Sequence, residues 1–169
     1  GILEGVDAVC GVHLWNGLPT GTIGLADGPV MAAVDRFDLV LTGQGGHGAM
    51  PHQTRDPLVA AAQLVTALQT IVSRETDPLD SCVVTVGKLT AGDTFNVIPA
   101  QARLSGTCRS YAPEAHAALP ERFRRVVEGI AAAHGVEATI EYTRIGGPTI
   151  NEPEFTAMAR EVANEVFGP

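Results

Sequence analysis

The stretch FDLVLTGQGGHGAMPH, residues 37–52, joins a strand pattern to a glycine-rich loop. Apolar and polar residues alternate along its first part, from about Asp35, as in a strand with one buried and one solvated face. Four glycines then fall within the six positions 43–48, where they add nothing to a core and cost conformational entropy. Asp56 before Pro57 is typical of a helix start, with Asp as the N-cap. The stretch therefore predicts a strand, a loop and a helix in succession.

The glycine-rich loop has two interpretations. One is a flexible connection, because loops concentrate Gly and Pro. The other is that the glycines let the backbone approach a ligand closely while His47 is presented to it. A histidine in such a loop is poorly placed to be a core residue.

The segments after the loop predict two amphipathic helices. The first, from Asp56, carries an apolar stripe at steps of three and four residues, formed by Leu58, Ala61, Val65, Leu68 and Val72. The second covers about 113–134 and stops at Gly135. Pro120 lies inside it and is expected to kink or restart the helix.

Strand patterns at about 81–89, 96–109 and 138–142 complete the order strand, helix, strand, strand, helix, strand over residues 35–145. This order predicts an α+β fold, a ferredoxin-like two-layer sandwich (βαββαβ) with a four-stranded antiparallel sheet and two helices on one face. The flanks, 1–34 and 146–169, read as the two ends of another domain that receives the sandwich. Within them, 8–15 predicts a strand buried on both faces and 22–26 a second short strand.

Charge and composition exclude several classes of function. The net charge is -8 without a basic block, which argues against nucleic acid and against an anionic membrane surface. No apolar run approaches the roughly 20 residues of a membrane span. Three widely spaced cysteines fit reduced thiols in a cytoplasmic protein. Cys10 and His13 are spaced as a metal pair can be, but a small buried hydrophobe is the preferred interpretation of Cys10.

Four polar residues are candidates for a site. His47, Asn96 and Arg109 together can hold a substrate carboxylate and polarise a carbonyl, while His13 ends a predicted strand, where sheets often present ligands. Each has a simpler alternative: a turn residue for Asn96, a solvated charge for Arg109, a satisfied core histidine for His13. The helical histidines, His116 and His134, are expected to be exposed or capping.

Several motifs together resemble the M20 family of metallopeptidases and amidohydrolases, in particular its hippurate hydrolase and indoleacetyl-amino acid hydrolase branch. The resemblance runs in order along the whole chain and is carried by EGVD (4–7), GVHLW (11–15), GPVMA (28–32), GGHGAMPH (45–52), LQTIVSR (68–74), FNVIP (95–99) and GTCR (106–109).

The resemblance implies a catalytic domain that holds two divalent metals, Zn, Mn or Co, with an inserted satellite domain. Residues 1–34 would end the first half of the catalytic domain, 35–145 would be the satellite (lid and dimerisation) domain, and 146–169 would return to the catalytic domain. By the same resemblance, His13 is a metal ligand, His47 reaches the active site of the partner in a homodimer, and Asn96 and Arg109 grip the substrate carboxylate. The implied reaction is hydrolysis of N-acyl amino acids.

The chain also departs from the family pattern, since it lacks the Cys-Gly-His segment, the Glu-Glu pair and the final His. We therefore expect a fragment that is inactive alone and without bound metals. The other hypotheses are a stand-alone dimerisation or ligand-binding module and, within the enzyme class, an N-acetyl-diaminopimelate deacetylase or small-peptide peptidase. The apolar run 82–89 is expected to pair with a second copy as a sheet edge.

Overall fold

The computed structural model describes residues 1–168, which form two compact units. One unit is Met31–Pro148, and the other combines Gly1–Val30 with the chain from Thr149 onward. The predicted segment 146–169 ends on a residue outside the described part. In chain order the elements are β1 (Gly28–Met31), β2 (Ala33–Thr42), β3 (Gly46–His47), a 3₁₀ turn (Pro51–Gln53), α1 (Pro57–Ala67), α2 (Gln69–Glu75), β4 (Cys82–Ala91), β5 (Val97–Ile98), β6 (Gln101–Ser110), α3 (Pro113–His134), β7 (Glu137–Gly146), β8 (Thr149–Asn151) and α4 (Pro153–Phe167).

The unit Met31–Pro148 is the predicted ferredoxin-like sandwich. Its four long strands form an antiparallel sheet in the order β4-β6-β2-β7, so that β4 and β7 are the edges. The helices α1, α2 and α3 pack on one face of this sheet. Alternate side chains of β2 are buried, as its pattern predicts. The fold class read from the sequence is therefore confirmed.

The core of the sandwich is centred on aromatic contacts between the sheet and α3. Phe123 of α3 lies with its ring centroid 4.5 Å from that of Phe37 on β2 and 5.5 Å from that of Tyr142 on β7. Both phenylalanines are completely buried. Such contacts place the second predicted helix directly over the central strand.

The apolar stripe predicted for the first helix matches the observed buried face only in part, because Ala61 and Leu68 are buried as predicted and its other members are not. Leu58 is 40% exposed, and Val65 and Val72 are only partly buried. The residues that face the sheet include two alanines, which allow the helix to approach it closely. The observed buried positions are Pro57, Ala60, Ala61, Leu64, Leu68 and Ile71.

Pro120 does not restart the second predicted helix, because α3 is continuous from Pro113 to His134. A proline has no N–H to donate to the carbonyl four residues earlier, which here belongs to His116. The Arg144 guanidinium donates to that carbonyl at 3.3 Å, and to the Ala117 carbonyl at 3.1 Å. A side chain from β7 thus takes the place of the missing helical donor.

The other unit differs from its prediction. Neither 8–15 nor 22–26 forms a strand, and the side chains of 8–15 are exposed. A strand needs a neighbouring strand to satisfy its backbone, and none pairs with these segments within residues 1–168. Instead β1 pairs with β8, and α4 follows β8 along the chain. In the described chain, no helix has the length and apolar character needed to cross a membrane.

Candidate functional site

His47 and Asn96 are brought together by a short pair of strands that the sequence patterns did not predict. In the β3–β5 pair, His47 lies opposite Val97. The Gly48 N–H extends this pairing by donating to the Asn96 carbonyl at 2.8 Å. The loop is therefore fixed to the turn before β5, and two of the candidate residues occupy neighbouring positions.

The glycines of the loop make room for the chain's own backbone. A Cβ at Gly48 would lie 2.9 Å from the Asn96 carbonyl oxygen, and one at Gly45 would lie 2.7 Å from the Ile98 carbonyl oxygen. Both distances are below ordinary van der Waals contact, so larger residues would separate the two strands. The structure thus gives the glycines a packing role instead of the ligand approach considered from the sequence.

The imidazole of His47 is exposed and has one defined hydrogen bond. Its Nδ1 accepts the N–H of Ala49 at 3.0 Å. A nitrogen that accepts a hydrogen bond carries a lone pair, so this contact assigns the proton of the neutral ring to Nε2. The side chain therefore presents an N–H donor away from the loop.

Arg109 lies at the other end of the sandwich from His47 and Asn96. Both of those residues adjoin the start of β6, whereas Arg109 lies eight residues beyond Gln101, roughly 26 Å along a strand at about 3.3 Å per residue. Its Nη1 donates to the Thr107 hydroxyl and, at 3.0 Å, to the Cys108 carbonyl. Within one copy, the structure does not bring Arg109 to the other two candidates.

His13 is exposed and is not at the end of a buried strand, contrary to the prediction. Its Nδ1 lies 2.7 Å from the Leu14 carbonyl oxygen, and its ring meets that of Trp15 edge-on at 5.6 Å. Across residues 1–168, no three His, Cys, Asp or Glu side chains are grouped to hold a metal ion. A dinuclear metal centre therefore does not fit the described residues by themselves.

A buried polar cluster in the sandwich was missed by the sequence analysis. Asp35 is 1% exposed, and its carboxylate accepts from His116 Nε2 at 2.8 Å and from the Tyr142 hydroxyl at 2.7 Å. The His116 side chain is 12% exposed, so the expectation that it would be exposed or capping is wrong. The cluster connects β2, α3 and β7.

Two groups near Asp35, Tyr142 and Cys108, are held in their protonated forms. Burial, followed by the hydrogen bond to Asp35, raises the pKa of Tyr142. Burial also raises the pKa of the Cys108 thiol to about 11. Both side chains therefore remain neutral at physiological pH, and the Tyr142 hydroxyl keeps its proton as a donor to Asp35.

A period-two pattern could have indicated this cluster. Asp35 falls on the same alternation as Phe37 and Leu39, whose side chains are buried. Tyr142 likewise falls in the row of Ala138 and Ile140 on β7. A carboxylate in an apolar row is costly to bury unless it is paired, so its partners had to lie on the facing elements.

The sandwich matches a known protein family. Residues 34–135 match the model of the peptidase dimerisation domain of M20 peptidases. This match covers more than half of the chain and lies within the sandwich, from β2 to the end of α3. The chain therefore belongs to the M20 family.

Relatives with known names agree with this assignment. The N-acetylcysteine deacetylase of Bacillus subtilis (strain 168) is 44% identical over 96% of this chain and 43% of its own length. IAA-amino acid hydrolase ILR1-like 2 of Arabidopsis thaliana is 39% identical over 99% of this chain and 39% of its own length.

A solved structure extends the comparison to three dimensions. The Bacillus subtilis YXEP protein, described as a dinuclear metal binding peptidase of the M20 family, superposes with a TM-score of 0.75. It is 38% identical and matches 98% of this chain and 41% of its own. The chain thus spans about two fifths of the length of the relatives it matches.

Proposed function

We propose that this chain supplies the lid and dimerisation domain of a metal-dependent amidohydrolase that cleaves N-acyl amino acids in the cytoplasm. The observation that carries the proposal is the fixed attachment of the His47 loop to the turn that contains Asn96, which holds an imidazole N–H donor and an exposed amide at neighbouring positions. A donor held in this way can stabilise the oxyanion that develops when an amide carbonyl is attacked. The names of the relatives support the substrate class.

The proposal divides the reaction between this chain and the rest of its parent protein. Residues 1–34 and 146–169 belong to the catalytic domain, and His13 contributes one metal ligand. The Zn, Mn or Co pair depends on further ligands outside the described residues, since one imidazole cannot hold two metals. Asn96 and Arg109 bind the carboxylate of the substrate.

The separation of Arg109 from His47 and Asn96 favours a site shared between two copies. Edge strand β4 pairs with β6 so that Cys82 lies opposite Ser110 and Ala91 opposite Ala102. If two copies of β4 pair antiparallel, the Cys82 end of one lies beside the Ala91 end of the other. Arg109 of one copy then shares an end of the joint sheet with His47 and Asn96 of its partner. The two β6 strands are three strand spacings apart, about 14 Å.

The catalytic role is tested with His47→Ala in the full-length protein that carries this chain. Loss of one oxyanion donor is expected to lower kcat on N-acyl amino acids by roughly a hundredfold or more, with metal content unchanged. His52→Ala, in the same exposed loop, is the matched control and should retain activity. An unchanged rate in the His47 variant would remove this residue from the mechanism.

The dimer seam is tested by placing a charge on each edge of the sheet. Val83 on β4 and Thr139 on β7 are both exposed. Val83→Lys is expected to shift the chain to monomer in analytical ultracentrifugation, because a lysine on an edge strand disfavours its pairing with another strand, while Thr139→Lys leaves the dimer intact. A dimer in both variants would move the seam away from β4, and a wild-type monomer at high concentration would contradict dimerisation through this domain.

A further inference from the structure

The Arg109 side chain is anchored through one of its three nitrogens. Nη1 donates to the Thr107 hydroxyl and to the Cys108 carbonyl. Within residues 1–168, no protein acceptor contacts Nε or Nη2, and no carboxylate forms an ion pair with this residue. The Nε–Nη2 edge is therefore free, and two parallel N–H groups on one edge match the two oxygens of a carboxylate.

The Thr107 hydroxyl can only accept a hydrogen bond from Arg109, because its own hydrogen is used elsewhere. Its Oγ1 donates to the main-chain carbonyl of Asp35 at 2.7 Å. A hydroxyl has a single hydrogen, so only its lone pairs remain for the Arg109 Nη1. The hydrogen bond to Asp35 therefore orients the oxygen that holds the guanidinium.

Asp35 is in turn fixed by the buried cluster. Its carboxylate is held by His116 at 2.8 Å and by Tyr142 at 2.7 Å, so α3 and β7 both constrain its position. A register shift between β2 and β7 occurs at Val34/Asp35. A register shift and a buried carboxylate both depart from regular sheet structure, and such departures are expected where a functional site must be held in place.

We infer that Thr107 and Asp35 are positioning residues, which hold Nη1 of Arg109 so that its Nε–Nη2 edge receives the carboxylate of an N-acyl amino acid. The inference rests on the proposed function for its substrate, and it adds the means by which this chain selects acids over the corresponding amides. Burying a carboxylate among apolar residues is costly, and hydrogen-bonding partners are needed to offset that cost. A role in orienting Arg109 accounts for the presence of Asp35 at this buried position.

The test compares Thr107→Val and Thr107→Ser in the full-length protein, on an N-acetyl amino acid and on the same compound with its carboxylate converted to an amide. The valine variant keeps the shape and loses the hydroxyl. It is expected to raise KM for the acid roughly tenfold, with kcat within twofold and KM for the amide unchanged. The serine variant should restore the wild-type KM. Ser105→Ala, two residues earlier on β6, is the matched control.

Arg109→Lys distinguishes a failure of the proposed function from a failure of the positioning inference. If it leaves KM for the acid unchanged, the carboxylate role of Arg109 in the proposed function is wrong. If it raises that KM and Thr107→Val does not, only the positioning inference is overturned. Equal effects of Thr107→Val on acid and amide would also overturn it, since they indicate a general structural loss.

A second measurement does not depend on turnover. In the 169-residue chain, the guanidinium N–H signals of Arg109 are followed by ¹⁵N NMR. Anchored Nη1–H groups are expected to exchange slowly in the wild type and in Thr107→Ser, and rapidly in Thr107→Val. Equally rapid exchange in all three would show that the anchor does not form in solution, and would overturn the inference.

Discussion

The sandwich unit and the unit formed by the flanking segments both contain periodic apolar residues, but they bury them to opposite extents. In the sandwich, the rows of β2 and α3 that contain Phe37 and Phe123 are completely enclosed. In the other unit, Val12 is 97% exposed, and α4 exposes an apolar stripe at steps of three and four residues. The members of that stripe are Phe155, Met158, Val162 and Val166.

The difference shows that an apolar pattern predicts structure only where its packing partner is present. Each strand of the four-stranded sheet finds its neighbours between residues 31 and 148. The predicted strands and helices formed there, although the first helix is divided into α1 and α2 and the strand at 96–109 into β5 and β6. The apolar run 8–15 has no strand beside it within residues 1–168, forms neither a helix nor a strand, and is exposed. A large exposed apolar surface commonly marks an interface, which is consistent with our proposal that the flanks belong to a larger catalytic domain.

Phe123→Ala is expected to have the largest effect on stability, and it tests the difference in packing between the two units. Removing a buried ring from contact with Phe37 and Tyr142 should lower the free energy of unfolding by about 4 kcal/mol. Urea denaturation followed by far-UV circular dichroism measures it. Phe155→Ala on α4 is the control, with an expected loss below about 1 kcal/mol. Equal losses would mean that α4 is packed as tightly as the sandwich.

The next largest effect concerns a carboxylate in each unit. Asp35→Ala leaves His116 and Tyr142 without their common partner and should cost about 3 kcal/mol of unfolding free energy. Asp27→Ala removes an exposed carboxylate 3.5 Å from Arg160 and should cost less than about 1 kcal/mol. The same denaturation experiment measures both. A loss at Asp35 no greater than that at Asp27 would contradict the buried cluster.

The smallest effect on stability is expected from the thiols, which differ in reactivity. Cys10 is exposed, whereas Cys108 is buried and its pKa is raised from 9.0 to about 11. At pH 8 a thiol reagent should label Cys10 in the folded chain and leave Cys108 unmodified. Burial blocks access to Cys108, and its raised pKa leaves roughly a hundredfold less thiolate than a thiol with the ordinary pKa would have.

The sign of the Cys108 shift adds a pH dependence. A thiol whose pKa is raised in the folded state favours folding below its ordinary pKa, and this contribution is lost as the pH rises from 9 toward 11. Unfolding free energies measured across that range should therefore fall, and should fall less in Cys108→Ala. Labelling of both thiols at equal rates in the native chain would contradict the closed core.

Much of the sandwich followed from local patterns. The alternation in β2, the Asp56 cap and the Gly135 stop each express one nearby interaction, and each formed as predicted. Less of the candidate site could be predicted from the sequence. The approach of His47 to Asn96 depends on the pairing of β3 with β5, each of which has only two residues. Strands this short are too short to show an alternating pattern in the sequence.

The missed interactions share a physical cause. The contact between Arg144 and the His116 carbonyl, like the partners of Asp35, joins residues far apart in the chain. A sequence pattern shows that such a group needs a partner, and only the packed elements show which partner it has.

The proline in α3 has a wider consequence for the molecule. A proline normally weakens a helix because one backbone hydrogen bond is lost. Here the carbonyl that loses its helical donor accepts a hydrogen bond from the guanidinium of Arg144 on the edge strand β7. The helical layer and the sheet are therefore connected by hydrogen bonds in addition to their apolar contacts. Pro120 thereby adds a polar connection between α3 and β7 to the aromatic one that Phe123 makes with Tyr142.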